Sequence, residues 1–416
     1  MMSRMLLSRP QPVGILPIPA GLLVLPSLPG EDHIDPDLVR HCVEGRAVEN
    51  VPAPWLFYDY ARQGDLDSAL QALDGFENDV ADYNRFVLSP NARSLETLRA
   101  VLKGDLHTLL EIAAYNFGMN DQVPGVEGLN GELLALALMA NAAAAMENNS
   151  PDRAMTLLQE AVAAARVASP WFAAQLLGQL AAICRTQGEP SRSHALSHYR
   201  DAIALISNAS MPEVISDLWM QLGMACQETA MGRDDRMTEA VRAYQEVLRC
   251  GLTAEAHPEL FALAHNNLGL LYLSMRMSDG GDQLRMAIAV QSFREALRVC
   301  DREATRDLWA SIQLNLANSL QYLPSSHPEE NLMQAVELYE ELVTVRKKAF
   351  DPVGYGRILS NQANALAHLG MFPPALEKLQ EARKLFEWHN EAELAASAMD
   401  LVAQIHEQVA TSAGRN

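Results

Sequence analysis

Three short segments in the second half of the chain decide its fold: HNNLGLLY (265–272), LNLANSL (314–320) and SNQANAL (360–366). Each lies in a stretch whose apolar residues recur at helical spacing, and each is followed by a second helical stretch. A helix pair that recurs in this way predicts a stacked-repeat protein, whose units bury their apolar faces against their neighbours. One asparagine occupies the same place in the three segments: Asn267, Asn315 and Asn361.

A regular step along the chain supports this prediction. The second helix of each predicted pair opens around a small or apolar residue, and these residues are 40–49 positions apart: Ala69, Leu109, Ala154, Ala195, Ala240, Ala289, Ala335 and Ala375. Two helices of about 15–18 residues with short connections fill such a step. Prolines such as Pro151 and Pro258 stand near the expected helix starts, where the missing N–H has no cost. We therefore predict an all-α chain of antiparallel helix pairs.

The chain divides into four predicted segments. Residues 1–49 form an extended, proline-rich and apolar arm, because five prolines between Pro10 and Pro26 prevent a helix there. This arm contains either short strands or a segment that lies in a groove. Three further segments follow: degenerate helix pairs or an N-terminal cap (50–130), the repeat array (131–390), and a capping helix with a tail (391–416).

Composition excludes several classes of partner. The 416 residues carry a net charge of −20, and a surface so acidic repels the phosphates of nucleic acids. Beyond the proline-broken N-terminus, no apolar stretch approaches the roughly 18 residues that a membrane span needs. The five cysteines contain no CxxC pair and their odd number does not suit a disulfide framework. We therefore expect a cytoplasmic protein without contact to membranes or nucleic acids.

The positions of small and aromatic residues in these pairs resemble tetratricopeptide repeats. The matching residues are Leu177-Gly178, Ala195, Tyr199 and Ala202; Trp219, Leu222-Gly223, Ala240 and Tyr244; Leu268-Gly269, Tyr272, Ala289, Phe293 and Ala296; Leu316-Ala317, Ala335 and Tyr339; and Ala363, Gly370, Ala375 and Ala382. In this pattern glycine or alanine lets two helices approach, and the aromatic ring fills the gap beside it.

The resemblance covers residues 130–410, and the long step is similar to that of kinesin light chains and of bacterial repeat proteins that carry a caspase-like domain. It implies a right-handed superhelical solenoid. The functions of such repeats are varied, so the resemblance predicts a fold more closely than a task.

The row of side-chain amides is the sharpest candidate for a binding site. Gln221 has the same position as Asn267, Asn315 and Asn361, one repeat before Asn267. Two further asparagines, Asn318 and Asn364, lie one helical turn along the same face. Asparagine is unfavourable inside a helix, so this register needs a cause. The amides line a groove for the backbone of an extended peptide, or they join neighbouring repeats, or the register is coincidental.

The other candidates for chemistry are weak. His194 and His198 are four residues apart on one helix, but no third metal ligand and no general-base glutamate accompany them. The doublet Gly280-Gly281 lacks the lysine and hydroxyl residue of a phosphate-binding loop, and no nucleophile elbow is present. We expect neither an enzyme nor a bound cofactor or metal.

The sequence therefore predicts a scaffold or adaptor that binds an extended segment of a partner protein in a concave groove. The alternative is an assembly or maturation factor, or a peptide-responsive regulator of an enzyme, in which the arm (1–49) occupies the groove and autoinhibits it. Neither reading names the partner.

Overall fold

The computed structural model describes residues 17–26, 51–209, 211–230, 233–250, 253–275 and 281–413. Within these residues the chain forms eighteen α-helices and two single-turn 3-10 helices. None of the described residues belongs to a β-strand. None of these helices is both long enough and apolar enough to cross a bilayer. Contacts divide the chain into two compact units, Met1–Thr229 and Ala230–Asn416. The predicted all-α class is confirmed.

The N-terminal unit has five short helices followed by five long ones. The short helices are α1 (Leu56–Arg62), α2 (Leu66–Ala72), α3 (Asp79–Leu88), α4 (Ala92–Val101) and α5 (Gly104–Asn116). The long helices are α6 (Gly131–Glu147), α7 (Pro151–Ala168), α8 (Pro170–Thr186), α9 (Ser191–Ile206) and α10 (Pro212–Glu228). Residues 117–130 connect the two sets.

The C-terminal unit has eight long helices. They are α11 (Asp234–Arg249), α12 (Pro258–Ser274), α13 (Asp282–Val299), α14 (Arg306–Tyr322), α15 (Pro328–Val345), α16 (Pro352–His368), α17 (Phe372–Trp388) and α18 (Ala392–Ala413). We call α6, α8, α10, α12, α14 and α16 the first helices, and α7, α9, α11, α13, α15 and α17 the second helices. Within each unit, consecutive helices pack against each other, and first helices also contact first helices: α8 with α10, α12 with α14, and α14 with α16.

The residues that marked the second helices in the sequence hold the repeats together. All eight, from Ala69 to Ala375, lie inside helices and have no exposed surface. A Cβ atom on Gly269 would lie 2.5 Å from Cε1 of Phe293, so the ring fills the space that the glycine leaves. Gly356 and Phe386 repeat this contact at 2.8 Å. The pairs are therefore packed as tetratricopeptide-like repeats, as predicted.

The described part of the N-terminal arm is built into the N-terminal unit. Residues 20–22 form one 3-10 turn, Leu22 to Val24 are buried, and no strand occurs in residues 17–26. Asn84 on α3, itself without exposed surface, bonds both backbone groups of Val24: its Nδ2 donates to the carbonyl at 2.8 Å and its Oδ1 accepts from the N–H at 2.9 Å.

Two aromatic side chains bond to further backbone carbonyls of this segment. The Tyr83 hydroxyl donates to the carbonyl of Leu22, and the Trp55 indole N–H donates to the carbonyl of Pro26. Because backbone groups buried in this way need partners, the segment is an integral part of the N-terminal core. The remaining arm residues lie outside the described ones.

Candidate functional site

The predicted amides occupy one repeating position of the first helices. Gln221, Asn267, Asn315 and Asn361 are each the tenth residue of their helix, in α10, α12, α14 and α16. The thirteenth residues of α14 and α16 are Asn318 and Asn364, one turn further along the same face. All six side chains are half-buried.

Amides on α16 donate directly to amides on α14. Nδ2 of Asn361 lies 3.0 Å from Oδ1 of Asn318, and Nδ2 of Asn364 lies 3.0 Å from Oε1 of Gln321. These bonds join neighbouring repeats, which is the second of the three explanations that the sequence left open. Inter-repeat bonding therefore accounts for the amides at positions 361 and 364.

A buried tyrosine ties this row to the core. The ring of Tyr339 on α15 has no exposed surface, and its hydroxyl donates to Oδ1 of Asn318 at 2.6 Å. The same hydroxyl accepts from Nε2 of Gln321 at 2.5 Å. Burial raises the pKa of this phenol, so it remains a neutral donor. Asn318 and Gln321 are consequently held in fixed orientations by the core below them and the next repeat beside them.

The contact between α12 and α14 uses a different asparagine from the one predicted. Nδ2 of Asn315 donates at 3.0 Å to Oδ1 of Asn266, which is buried, whereas the sequence pattern aligned Asn267 with Asn315. One residue along a helix is a rotation of about 100°. Asn266 therefore faces the following repeat, and Asn267 lies beside it, with its Oδ1 3.5 Å from Nδ2 of Asn266.

The amide row keeps unused hydrogen-bonding atoms. Among the described residues, Oδ1 of Asn315, Asn361 and Asn364 accepts no hydrogen bond, although the Nδ2 atom of each is engaged. An amide oxygen has two acceptor sites. These three half-buried oxygens, on the joined face of α14 and α16, can accept from N–H donors of a bound chain.

Gln221 belongs to the N-terminal unit and makes its contacts there. Its Oε1 accepts from Nη1 of Arg185 at 2.8 Å, and its Nε2 lies 3.5 Å from Oδ1 of Asp217. Unlike the asparagines, it is bonded to charged side chains. The predicted six residues thus fall into two groups with different chemistry.

The histidines provide no support for a metal centre. Burial lowers the pKa of His198, and the nearby His194 acts in the same direction while Asp201 opposes it. Within the described residues, no three His, Cys, Asp or Glu side chains are placed to share a metal ion. His265, next to the asparagine row, packs against the ring of Phe261 with a centroid distance of 4.5 Å.

Sequence reasoning missed three side chains that bond to the predicted asparagines: Asn266, Gln321 and Tyr339. Gln321 follows Asn318 by three residues, so continuing the same helical face by one turn would have found it. Tyr339 was predicted only as a core residue, and its position in the sequence does not indicate that its hydroxyl bonds to side chains of α14.

Comparison with known proteins identifies helical structures of low similarity. No family model matches the chain, and no curated protein matches it. BtubC (BKLC) from P. vanneervenii is 18% identical, with 62% of this chain and 92% of that one covered and a TM-score of 0.42. The apo form of RapI is 11% identical, with 85% and 96% covered and a TM-score of 0.49. Aspartyl phosphate phosphatase F from Bacillus subtilis is 12% identical, with 86% and 96% covered and a TM-score of 0.41.

Proposed function

We propose that the chain is a non-enzymatic interaction module that binds an extended peptide segment of a partner protein. The binding surface is the face of α12, α14 and α16 that carries Asn267, Asn315, Asn318, Asn361 and Asn364. We call it the amide face. We place it in the C-terminal unit. Gln221, which the sequence assigned to the same row, belongs to the N-terminal unit.

One observation carries this proposal: within the described residues, three amide oxygens on α14 and α16 have no donor, and inter-repeat bonds of the same side chains hold them in place. An extended peptide presents a backbone N–H at every second residue on one side, and fixed acceptors lose little conformational entropy when they bind it. The amide nitrogens join neighbouring repeats, and the amide oxygens accept hydrogen bonds from the bound peptide.

Alanine substitution at Asn315 and Asn361 is a poor test of this site. Both side chains donate to the neighbouring repeat, so their removal also loosens the helix stack. A better position is Ser311, which lies one turn before Asn315 on the same face. Among the described residues, its hydroxyl bonds only to the carbonyl of Asp307 within its own helix. An arginine there blocks the face and leaves the inter-repeat bonds intact.

The expected result is loss of peptide binding in Ser311→Arg. The probe is a cellulose array of randomised 12-residue peptides, from which the wild-type protein selects binders whose Kd is then measured in solution. Binding of the selected peptides should fall at least tenfold in Ser311→Arg, because the new side chain occupies the peptide's path.

The matched control is Gln380→Arg, which places the same charge on an exposed position of α17, a second helix. It should bind as the wild type does. Equal binding by Ser311→Arg and Gln380→Arg, or an array on which the wild-type protein selects no peptide, would contradict the proposal. Far-UV circular dichroism and the melting temperature check that all three proteins are folded.

The autoinhibited alternative receives no support from the described arm residues. Residues 17–26 are packed against α3 and Trp55 in the N-terminal unit. Deleting them would uncover that core, so an effect of the deletion on binding would not report an inhibitory role for the arm. We therefore propose the scaffold function alone.

A further inference from the structure

A second polar site lies in the N-terminal unit, whereas the amide face belongs to the C-terminal unit. An open pocket of about 660 Å³ is formed between α8, α9 and α10, and all its lining residues belong to this unit. Amides, a guanidinium, a phenol and two carboxylates line it: Gln175, Gln179, Gln221, Arg185, Tyr199, Glu213 and Asp217. Its size suits one long side chain or a small ligand.

One residue that lines the pocket carries a buried polar atom that lacks a partner within the described part of the chain. Tyr199 on α9 is 1% exposed, and its hydroxyl has no hydrogen bond within the described residues. Burial raises the pKa of this phenol to about 12, so the hydroxyl is neutral. Leaving such a group without a partner costs free energy, and native structures seldom do so without a reason.

The equivalent tyrosine of another repeat shows what is missing. Tyr339 bonds to Asn318 and Gln321, the thirteenth and sixteenth residues of α14. The thirteenth and sixteenth residues of α8 are Ala182 and Arg185, and both line the pocket. Alanine cannot reach the phenol, and its small size opens the space above it. A bound group would take the place that Asn318 has in the other repeat.

The charge of the pocket selects the ligand. Its one guanidinium is already engaged, since Arg185 donates to Gln221 and forms an ion pair with Glu228 at 3.5 Å. The carboxylates of Glu213 and Asp217 stand on the exposed side of α10 and also line the pocket. An additional anion would meet two carboxylates, whereas a cation would be attracted by them.

We propose that this pocket binds the cationic side chain, arginine or lysine, of a partner peptide. Its N–H groups donate to the Tyr199 hydroxyl and to the Asp217 carboxylate. Gln175 and Gln179 also line the pocket. The acidity of the whole chain, with its net charge of −20, favours the approach of a basic partner. This site is independent of the amide face, and neither needs the other to bind.

Blocked tripeptides test the proposal on the full-length protein. Acetyl-Gly-Xaa-Gly-amide is titrated with Xaa as arginine, lysine, citrulline or glutamate, and the methyl resonances of Leu218, which lines the pocket, are followed by NMR. The arginine or lysine peptide should shift these resonances with a Kd of about 1 mM, a reasonable value for so few ligand atoms. Citrulline, the neutral isostere of arginine, should bind at least tenfold more weakly. Glutamate should cause no shift.

Two variants separate the roles of the charge and the phenol. Asp217→Asn should weaken binding of the cationic peptides about tenfold. Tyr199→Phe should weaken it several-fold without lowering the melting temperature, because its hydroxyl has no partner among the described residues. The control Tyr339→Phe should lower the melting temperature and leave tripeptide binding unchanged. Equal binding of citrulline and arginine, preference for glutamate, or no shift with any peptide would overturn the proposal.

Discussion

Replacing Phe293 with alanine is expected to lower the free energy of unfolding by about 3–5 kcal/mol, the usual cost of removing a buried ring. The ring has no exposed surface and touches the helix backbone at Gly269, so its loss leaves a cavity between α12 and α13. Urea denaturation followed by circular dichroism measures the change.

A double-mutant cycle with Gly269→Ala gives this prediction its sharpest form. The single change Gly269→Ala should cost about 1–3 kcal/mol through overpacking, although alanine is the better helix former by about 1 kcal/mol. In the double variant the new methyl group enters the cavity left by the ring, so the combined cost should be clearly less than the sum. Strictly additive costs, or a more stable Gly269→Ala, would show that this contact does not hold the repeat together.

The second large effect is a dependence of stability on pH through Glu132. This side chain, in the first turn of α6, is 1% exposed, and burial raises its pKa from 4.5 to about 8, with a smaller opposing contribution from a hydrogen bond with Ser169. Between these values the folded protein keeps a proton that the unfolded chain releases, so stability falls as the pH rises from about 4.5 to 8. At about 1.4 kcal/mol per pKa unit, the loss is at most about 5 kcal/mol.

Glu132→Gln should remove this dependence, because glutamine resembles the protonated acid. The variant should match the wild type near pH 5 and exceed it by several kcal/mol at pH 8 in urea denaturation. Glu147→Gln, an exposed position at the end of the same helix, is the matched control and should follow the wild-type curve. A constant difference between Glu132→Gln and the wild type at every pH would contradict the assignment.

The repeat could be predicted from sequence because its packing depends on residue size at fixed spacing. Ala240, Ala289 and Ala335 have no exposed surface, since only a small side chain fits where two helices cross. Phe293 follows Ala289 by one turn and fills the adjacent gap. Such requirements are local to each helix pair, so the single sequence was sufficient to identify them.

The amide row was only partly predictable. Its existence followed from the recurring asparagines, but the choice between Asn266 and Asn267 depends on how far one helix is rotated against the next. That rotation arises from packing along the whole pair and has no signal at the two residues themselves. The bonds from Asn84 to Val24 were still less predictable from sequence, because 60 residues separate the partners.

Two equivalent tyrosines, Tyr199 and Tyr339, differ in their hydrogen-bond partners. The sequence matched Tyr199 and Tyr339 as equivalent aromatic residues and treated both as core. The difference lies on the preceding helix, where Ala182 replaces the amide that Asn318 supplies. Comparing the thirteenth residues of α8 and α14 beside the two tyrosines would have pointed to this difference.

The amide face is tested most directly by N-methylation of a peptide selected on the array. Each backbone N–H is replaced by N-methyl in turn, and the Kd is measured for every position. If amide oxygens on α14 and α16 accept from an extended backbone, affinity should fall at least tenfold at alternate residues within the bound segment and little at the residues between them. Uniform tolerance of N-methylation along the whole peptide would contradict recognition of the backbone by these amides.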